Sequence, residues 1–162
     1  MRSTPYKFGV GVTEEIGDDL ASLALKRVLI VTDPGVAATG LPEKATELLR
    51  ARNIETGIFP EVRIEPTDRS VKAAIEFAQS FQAEGYLAIG GGSVMDTAKI
   101  MNLYVTHPAP FLAYVNAPIG EARAVPGPLK PMICIPTTAG TSSENTAIAV
   151  VDMTGLTWQA FE

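Results

Sequence analysis

The sequence contains a single cysteine and a single histidine, and both scarcities limit its chemistry. One cysteine excludes an internal disulfide, and Cys134 falls in the apolar run 131–135, which predicts a buried small hydrophobe rather than a nucleophile. One histidine cannot build a histidine-based metal site without a cluster of carboxylates or cysteines, and the sequence shows no such cluster. A Ser-His-Asp triad would need His107, which lies beside Pro108 in a predicted exposed loop.

Clusters of positive charge and long apolar segments are also missing. The net charge is −5 without a Lys/Arg cluster, so nucleic acid and anionic membranes are poor partners. No apolar run approaches the ~20 residues that cross a bilayer, and the first residues lack the apolar core of a signal peptide. With the lone cysteine, these absences predict a cytoplasmic protein. The 46% hydrophobic and 19% charged composition predicts one globular domain over residues 1–162.

Predicted strands and helices alternate along the first part of the chain. Buried strands are predicted at 27–33 and 86–89, and a short strand at 55–59. Helices are predicted to begin near Thr13, near Pro42, and at Thr67 or Asp68. This order is typical of an α/β fold, a Rossmann-like parallel sheet with helices on both faces. Such sheets bind ligands at the carboxyl ends of their strands.

The most informative segment is 86–99 (YLAIGGGSVMDTAK), a strand, three glycines and a helix start. Ser93 is predicted to cap the helix, with Asp96 completing a capping box. The glycines permit a sharp turn and close approach of a ligand, and the free amides of the helix start suit a phosphate. The segment is neither the spaced-glycine dinucleotide fingerprint nor a P-loop, so a turn without a ligand stays open. Asp33 ends the first strand at the same edge, and we expect both features to share one crevice.

The pattern stops in the proline-rich stretch 106–131, where one helical turn is predicted at 111–115. A strand at 132–136 then precedes a hydroxyl-rich loop at 137–146 (TTAGTSSENT), which we expect to contact a ligand. A last buried strand is predicted at 147–151, followed by a turn at Thr154.

Two motifs in this order, 90–99 (GGGSVMDTAK) and 136–146 (PTTAGTSSENT), resemble the iron-containing alcohol dehydrogenases. Shorter segments are similar to the hydroxyacid–oxoacid transhydrogenase branch of that family, namely 62–68, 102–104, 117–120 and 128–131. The resemblance implies an N-terminal NAD-binding α/β domain. In the family, an all-helical domain follows, and a divalent metal, iron or zinc, lies between the two. The family's metal ligands, one Asp and three His, lie C-terminal to the matching region, so the resemblance implies neither a metal site nor a catalytic residue in this chain, and no helical domain.

The resemblance also implies which residues contact NAD. Asp33 matches the carboxylate that binds the adenosine ribose, and its charge favours NAD over NADP. The other matched positions are Gly91, Gly92, Ser93, Asp96, Thr137, Thr138, Thr141 and Thr146. The glycines and Ser93 match the pyrophosphate loop, Asp96 the nicotinamide end, and the threonines further cofactor contacts. Lys99 is expected to support the loop or the helix.

The sequence departs from the family pattern at two places. Ser142 stands where the family usually has a glycine, so a positive φ there would strain the serine. After Gly155 the family usually has a lysine-containing strand that touches the cofactor, whereas residues 156–162 have no lysine.

The implied function is hydride transfer between nicotinamide and a small-molecule alcohol, hydroxyacid or oxoacid. The chain alone is expected to show no turnover, because it lacks the metal-binding part. One alternative is a non-catalytic nucleotide-binding or assembly module that forms homo-oligomers through an apolar face. Another is a sibling enzyme such as glycerol dehydrogenase or dehydroquinate synthase, although the 136–146 loop favours the alcohol dehydrogenase branch.

Overall fold

The computed structural model describes residues 5–154, which fold around a four-stranded parallel sheet. Its strands are β1 (Arg27–Thr32), β2 (Glu55–Phe59), β3 (Gly85–Gly90) and β4 (Met132–Pro136). Their order in the sheet is β2-β1-β3-β4. The predicted α/β fold with a parallel sheet is confirmed, and the predicted strands up to β4 begin and end within one residue of those observed.

Helices cover both faces of this sheet. They are α1 (Ile16–Ser22), α2 (Pro34–Ala37), α3 (Leu41–Arg50), α4 (Asp68–Phe81) and α5 (Gly92–Thr106). Alternate strand residues point to opposite faces: Leu29 and Val31 pack with α4 and α5, whereas Val28 and Ile30 pack with α1 and α3. Both faces of the central strands are thus buried, as expected for a parallel sheet. Within the described part of the chain, no helix is long and apolar enough to cross a membrane.

The helix starts confirm some sequence signals and contradict others. Thr67 caps α4 in a capping box with Ser70, whose amide lies 3.2 Å from Thr67 Oγ1 and whose Oγ accepts from the Thr67 amide at 3.0 Å. The cap predicted at Thr13 is wrong, because a 3₁₀ turn over Val12–Glu15 precedes α1 and no side chain caps α1. Because the chain enters α1 through this 3₁₀ turn, Thr13 lies before the helix and not at its N-cap position.

The proline-rich stretch between α5 and β4 is anchored at its start. A 3₁₀ turn at Phe111–Ala113 matches the predicted single turn. His107 ends α5 and is half-buried, with Nε2 3.2 Å from the carbonyl oxygens of Gly127 and Pro128. The prediction of an exposed loop histidine is therefore wrong, because the stretch folds back over the imidazole.

The last buried strand predicted at 147–151 is also wrong. No strand forms there within residues 5–154, and Ile148 and Val150 are 69% and 68% exposed. The backbone amide of Val150 donates to the Asp96 carboxylate, so this part of the segment follows α5 rather than the edge of β4. The predicted turn at Thr154 begins at the last described residue, and the lysine-free segment 156–162 lies outside the described residues.

Candidate functional site at the carboxyl edge of the sheet

The sheet has a switch point between β1 and β3. The chain leaves β1 toward β2 on one side, and it leaves β3 toward β4 on the other. Open parallel sheets bind ligands outside the carboxyl ends of the strands at such a point. Thr32 pairs with Ile89 and donates its hydroxyl to the Ile89 carbonyl at 2.8 Å. The ends of the two strands are thus held together, so Asp33 and the glycine turn, which follow them directly, lie at the same edge of the sheet. That they share one ligand crevice stays a prediction.

Asp33 lies directly after β1 and caps α2. Its Oδ1 accepts a hydrogen bond from the Val36 amide at 3.0 Å, and Pro34 occupies the first turn. Its Oδ2 makes no hydrogen bond to any residue from 5 to 154, so one carboxylate oxygen is left for a ligand. The sequence predicted only a turn here, because four helical residues are too few for a periodic signal.

Close contact with the threonine loop explains why residues 91 and 92 are glycines. Gly91 caps α5 in an extended conformation (φ −85°), so no left-handed backbone is required. A Cβ atom on Gly91 would lie 3.1 Å from Thr138 Oγ1, and one on Gly92 would lie 3.3 Å from Thr141 Cβ. Ser93 lies inside α5, and no side chain caps this helix, so the predicted capping role of Ser93 is wrong.

The threonine loop after β4 lies against the glycine turn. The Thr137 amide donates to the Gly90 carbonyl at 3.0 Å, which extends the β3–β4 pairing past the end of β4. Thr138 and Thr141 are exposed beside the turn. The structure therefore brings the three threonines 137, 138 and 141 together with the predicted pyrophosphate loop.

Asp96 is turned away from solvent and is 8% exposed. Its Oδ1 accepts from Ser143 Oγ at 2.7 Å and from Lys99 Nζ at 3.1 Å, and its Oδ2 accepts from the Val150 amide at 3.0 Å. Because the carboxylate is engaged within the chain, its predicted contact near the nicotinamide stays a prediction. Sequence reasoning missed Ser143, whose one signal was its place among the loop hydroxyls.

Lys99 connects the same helix to the far end of the loop. Its Nζ lies 3.3 Å from Thr146 Oγ1 and 2.7 Å from the Ile148 carbonyl oxygen. The expected supporting role of Lys99 is thus confirmed. Thr146 is exposed but bonded to Lys99, and its cofactor contact also stays a prediction.

Ser142 adopts the left-handed conformation, with φ 55° and ψ 13°. The sequence anticipated this strain, since the resembling family usually has glycine here. A non-glycine residue in this region costs about 1–2 kcal/mol. The loop therefore keeps the shape of a glycine turn at the expense of strain in the serine.

Two features bear on chemistry at this edge. Cys134 on β4 is half-buried, and burial raises the pKa of its thiol, although Lys99 acts in the opposite direction. This is consistent with the predicted packing role of Cys134.

Among the described residues, no group of three or more His, Cys, Asp or Glu could hold a metal ion.

Two cavities lie away from the switch point. One, between α4 and α5, is lined by Lys72, Tyr104 and Phe111, and another lies beside Asn53 before β2.

Curated relatives are similar over nearly the whole chain. The mitochondrial hydroxyacid–oxoacid transhydrogenases of Xenopus tropicalis and Homo sapiens are 46% and 44% identical over 94% of it. The alignment covers 33% of each relative, so the chain spans about a third of their length.

Solved structures share the fold. The NADH-dependent butanol dehydrogenase A of Thermotoga maritima superposes with a TM-score of 0.81 at 23% identity, covering 93% of this chain and 37% of that one. A 1,3-propanediol oxidoreductase superposes with a TM-score of 0.80 at 31% identity, covering 91% and 37%.

The relatives overturn the expected cytoplasmic location. The transhydrogenases that match at 43–46% identity are named as mitochondrial proteins. The expectation was wrong because a lone cysteine excludes disulfides without specifying which reducing compartment holds the protein.

The family model for iron-containing alcohol dehydrogenases matches residues 3–159. This match covers nearly the entire sequence and agrees with the fold and with the two motifs at the carboxyl edge. The chain belongs to the iron-containing alcohol dehydrogenase family, whose named members are oxidoreductases.

Proposed function

We propose that this chain is the NAD-binding part of a metal-dependent alcohol or hydroxyacid dehydrogenase, or of a hydroxyacid–oxoacid transhydrogenase. The observation that carries the proposal is the convergence, at the β1/β3 switch point, of the Asp33 carboxylate with the glycine turn that opens α5. The transhydrogenase relatives support the second substrate class. We extend their mitochondrial location to this chain as part of the proposal.

The pyrophosphate of NAD fits the start of α5. The first amides of a helix have no partner within it, and the helix dipole places positive potential there. The amides of Gly92 and Ser93 belong to this first turn. Gly91 and Gly92 carry no side chain that could cover these amides, and Thr138 and Thr141 pack directly beside the two glycines.

Asp33 selects the nucleotide. A carboxylate at this edge of the sheet can hydrogen-bond the ribose hydroxyls of NAD and repels the 2′-phosphate of NADP. Its Oδ1 accepts from the Val36 amide, which leaves Oδ2 for a ribose hydroxyl.

When bound, the nicotinamide exchanges a hydride with the carbinol carbon of a small alcohol or hydroxyacid. The residues that the structure describes offer no metal site, so no step through a metal is assigned to this chain. Because the described residues offer no metal site, we expect the chain by itself to bind NAD without oxidising an alcohol. Alcohol oxidation by the purified chain in the presence of a chelator would contradict this expectation.

Titration calorimetry with NAD and NADP tests the binding proposal. We expect NAD to bind in the micromolar range and NADP at least about tenfold more weakly, since an unfavourable charge pair costs about 1.4 kcal/mol or more. Asp33→Ala should weaken NAD binding, but it also removes the α2 cap. Asp33→Ser is the matched control, because serine still caps the helix. Equal NAD affinity in the wild-type chain and Asp33→Ser would refute the assignment of Asp33, and no NAD binding by the wild-type chain would refute the proposal.

A specific observation favours a second candidate, an assembly module that self-associates. Ile148 and Val150 are exposed, and so are Tyr6, Phe8 and Val10, at 89%, 95% and 108%. Exposed apolar side chains that form a contiguous patch are typical of interaction surfaces. Light scattering over a concentration series distinguishes the candidates, since a monomer at high concentration would exclude self-association.

A further inference from the structure

A buried ion pair ties the threonine loop to helix α5. Asp96 and Lys99 are one helical turn apart, and both side chains are 11% exposed. Each side chain also reaches the loop: Asp96 accepts from Ser143 and from the Val150 amide, and Lys99 reaches Thr146 and the Ile148 carbonyl. We call these two residues, with their four contacts, the loop clamp.

We infer that the loop clamp positions residues 143–150 over the start of α5, and that Asp96 acts on cofactor binding through the loop rather than by touching the cofactor. The effect on cofactor binding rests on the proposed NAD-binding function. The clamp contacts themselves form in the chain without nucleotide.

The first argument is geometric. An ionised carboxylate accepts hydrogen bonds only, and both Asp96 oxygens receive donors from the chain: Ser143 Oγ at 2.7 Å, Lys99 Nζ at 3.1 Å and the Val150 amide at 3.0 Å. Oδ1 accepts two of these donors and Oδ2 accepts one, so a hydroxyl of NAD would find only the remaining acceptor position of Oδ2. That position belongs to a residue that is 8% exposed, which leaves little room for direct contact with a cofactor.

The second argument is energetic. A buried ion pair adds little net stability, because desolvation offsets the attraction, whereas removing one partner leaves an uncompensated charge. The pair therefore acts mainly by specifying one arrangement of the groups around it. Those groups belong to a loop without helix or strand pairing apart from a 3₁₀ turn at Ser143–Asn145.

The Val150 amide gives the inference a direct reporter. Its residue is 68% exposed and lies outside every described strand, and Asp96 Oδ2 is the partner of its amide, so slowed exchange of this amide would report that contact. Asp96→Asn has one carbonyl oxygen, so in either orientation its NH₂ group faces a donor. The variant therefore loses either the Val150 contact or the Lys99 contact, whereas the Ser143 hydroxyl can turn to accept from the NH₂ group.

The experiment measures amide hydrogen exchange by NMR, without nucleotide, in the wild-type chain and in Asp96→Asn, Lys99→Met and Ser143→Ala. The matched control is Lys44→Met, which removes the ion pair between Lys44 on α3 and Glu14, on the opposite face of the sheet from α5. We expect Asp96→Asn and Lys99→Met to speed exchange in 143–150 by about tenfold, as loss of a hydrogen bond to a charged group predicts. Exchange in β1 and β3 should stay unchanged, and in Lys44→Met exchange in 143–150 should stay unchanged as well.

NAD affinity, measured in the same variants, separates positioning from contact. We expect affinity to fall in proportion to loop exchange across all three clamp variants, including Ser143→Ala. Weaker NAD binding by Asp96→Asn with unchanged loop exchange would overturn the inference in favour of direct contact. Unchanged loop exchange with unchanged affinity would also overturn it. If the wild-type chain binds no NAD, the proposed function fails, and the exchange rates alone decide whether the clamp exists.

Discussion

Gly91 and Thr138 approach so closely that a Cβ atom on residue 91 would lie 3.1 Å from Thr138 Oγ1. This contact joins the turn after β3 to the loop after β4, the two segments that carry most of the proposed cofactor contacts. It explains a glycine that backbone conformation does not require, since residue 91 has a negative φ.

We expect Gly91→Ala to weaken NAD binding by at least about tenfold, because the methyl group occupies the path of the pyrophosphate to the amides of α5. Calorimetry measures this loss. The same substitution should lower the free energy of unfolding by less than it lowers the free energy of NAD binding, because Thr138 is exposed and can shift away from the methyl group.

The double variant Gly91→Ala/Thr138→Ala separates packing from binding. Removing Oγ1 relieves the contact, so stability should return toward that of Thr138→Ala alone. Binding should not return, because the methyl group still lies at the amides. Full recovery of NAD affinity in the double variant would show that loop displacement, rather than blocked approach, caused the loss.

Ser142→Gly should stabilise the chain by about 0.5 kcal/mol. Relief of a left-handed non-glycine residue gains about 1–2 kcal/mol, and the freer unfolded chain offsets about 0.5–1 kcal/mol. Urea unfolding measures the difference. Ser80→Gly, at an exposed position of helix α4, is the control and should lose about 0.5 kcal/mol. Destabilisation by both substitutions would mean that φ 55° carries no strain.

Asp68 makes the stability depend on pH. Hydrogen bonds from the Thr154 hydroxyl and then from Lys72 hold the pKa of Asp68 well below its usual range. A lowered folded-state pKa adds stability that is full above the unfolded value of about 4 and is lost as pH falls toward the folded value. Asp68→Asn should therefore be less stable than the wild-type chain at pH 7, and the gap should narrow below pH of about 4.

Urea unfolding of both chains at several pH values checks the sign. Glu121→Gln, which breaks the exposed pair with Arg123, is the control and should change stability little at any pH. A gap that widens as pH falls would contradict the account of Asp68.

Cys134 reports the packing of β4. Burial raises the pKa of its thiol, and only the thiolate reacts with iodoacetamide. At pH of about 8 the folded chain should react at least about tenfold more slowly than the chain in urea. The lone cysteine makes the rate unambiguous, and equal rates in both states would mean that β4 is not packed as described.

The sequence predicts most of the sheet because buried parallel strands appear as short apolar runs between turn signals. The same rule misled at 147–151, an apolar run of strand length whose Val150 amide pairs with a side chain instead. Apolar content indicates burial but does not specify the hydrogen-bond partner.

The sequence predicts the position of a site residue where a local motif and the order of the strands lead to the same place. Asp33 and the glycine turn could be placed together because carboxyl ends of parallel strands share an edge. The roles of Ser93 and Asp96 could not be inferred from local spacing, because Asp96 pairs with Ser143, 47 residues away. A capping box and a tertiary clamp use the same residue types, and only the fold distinguishes them.

The most direct test of the central claim is an NMR titration of the ¹⁵N-labelled chain with NAD. The account predicts shifts concentrated in the amides of residues 33, 35 and 36, of 91–93 and of 137–141, at the β1/β3 switch point. Shifts centred instead on Asn53 and the start of β2, at the opposite edge of the sheet, or no shifts at millimolar NAD, would contradict it.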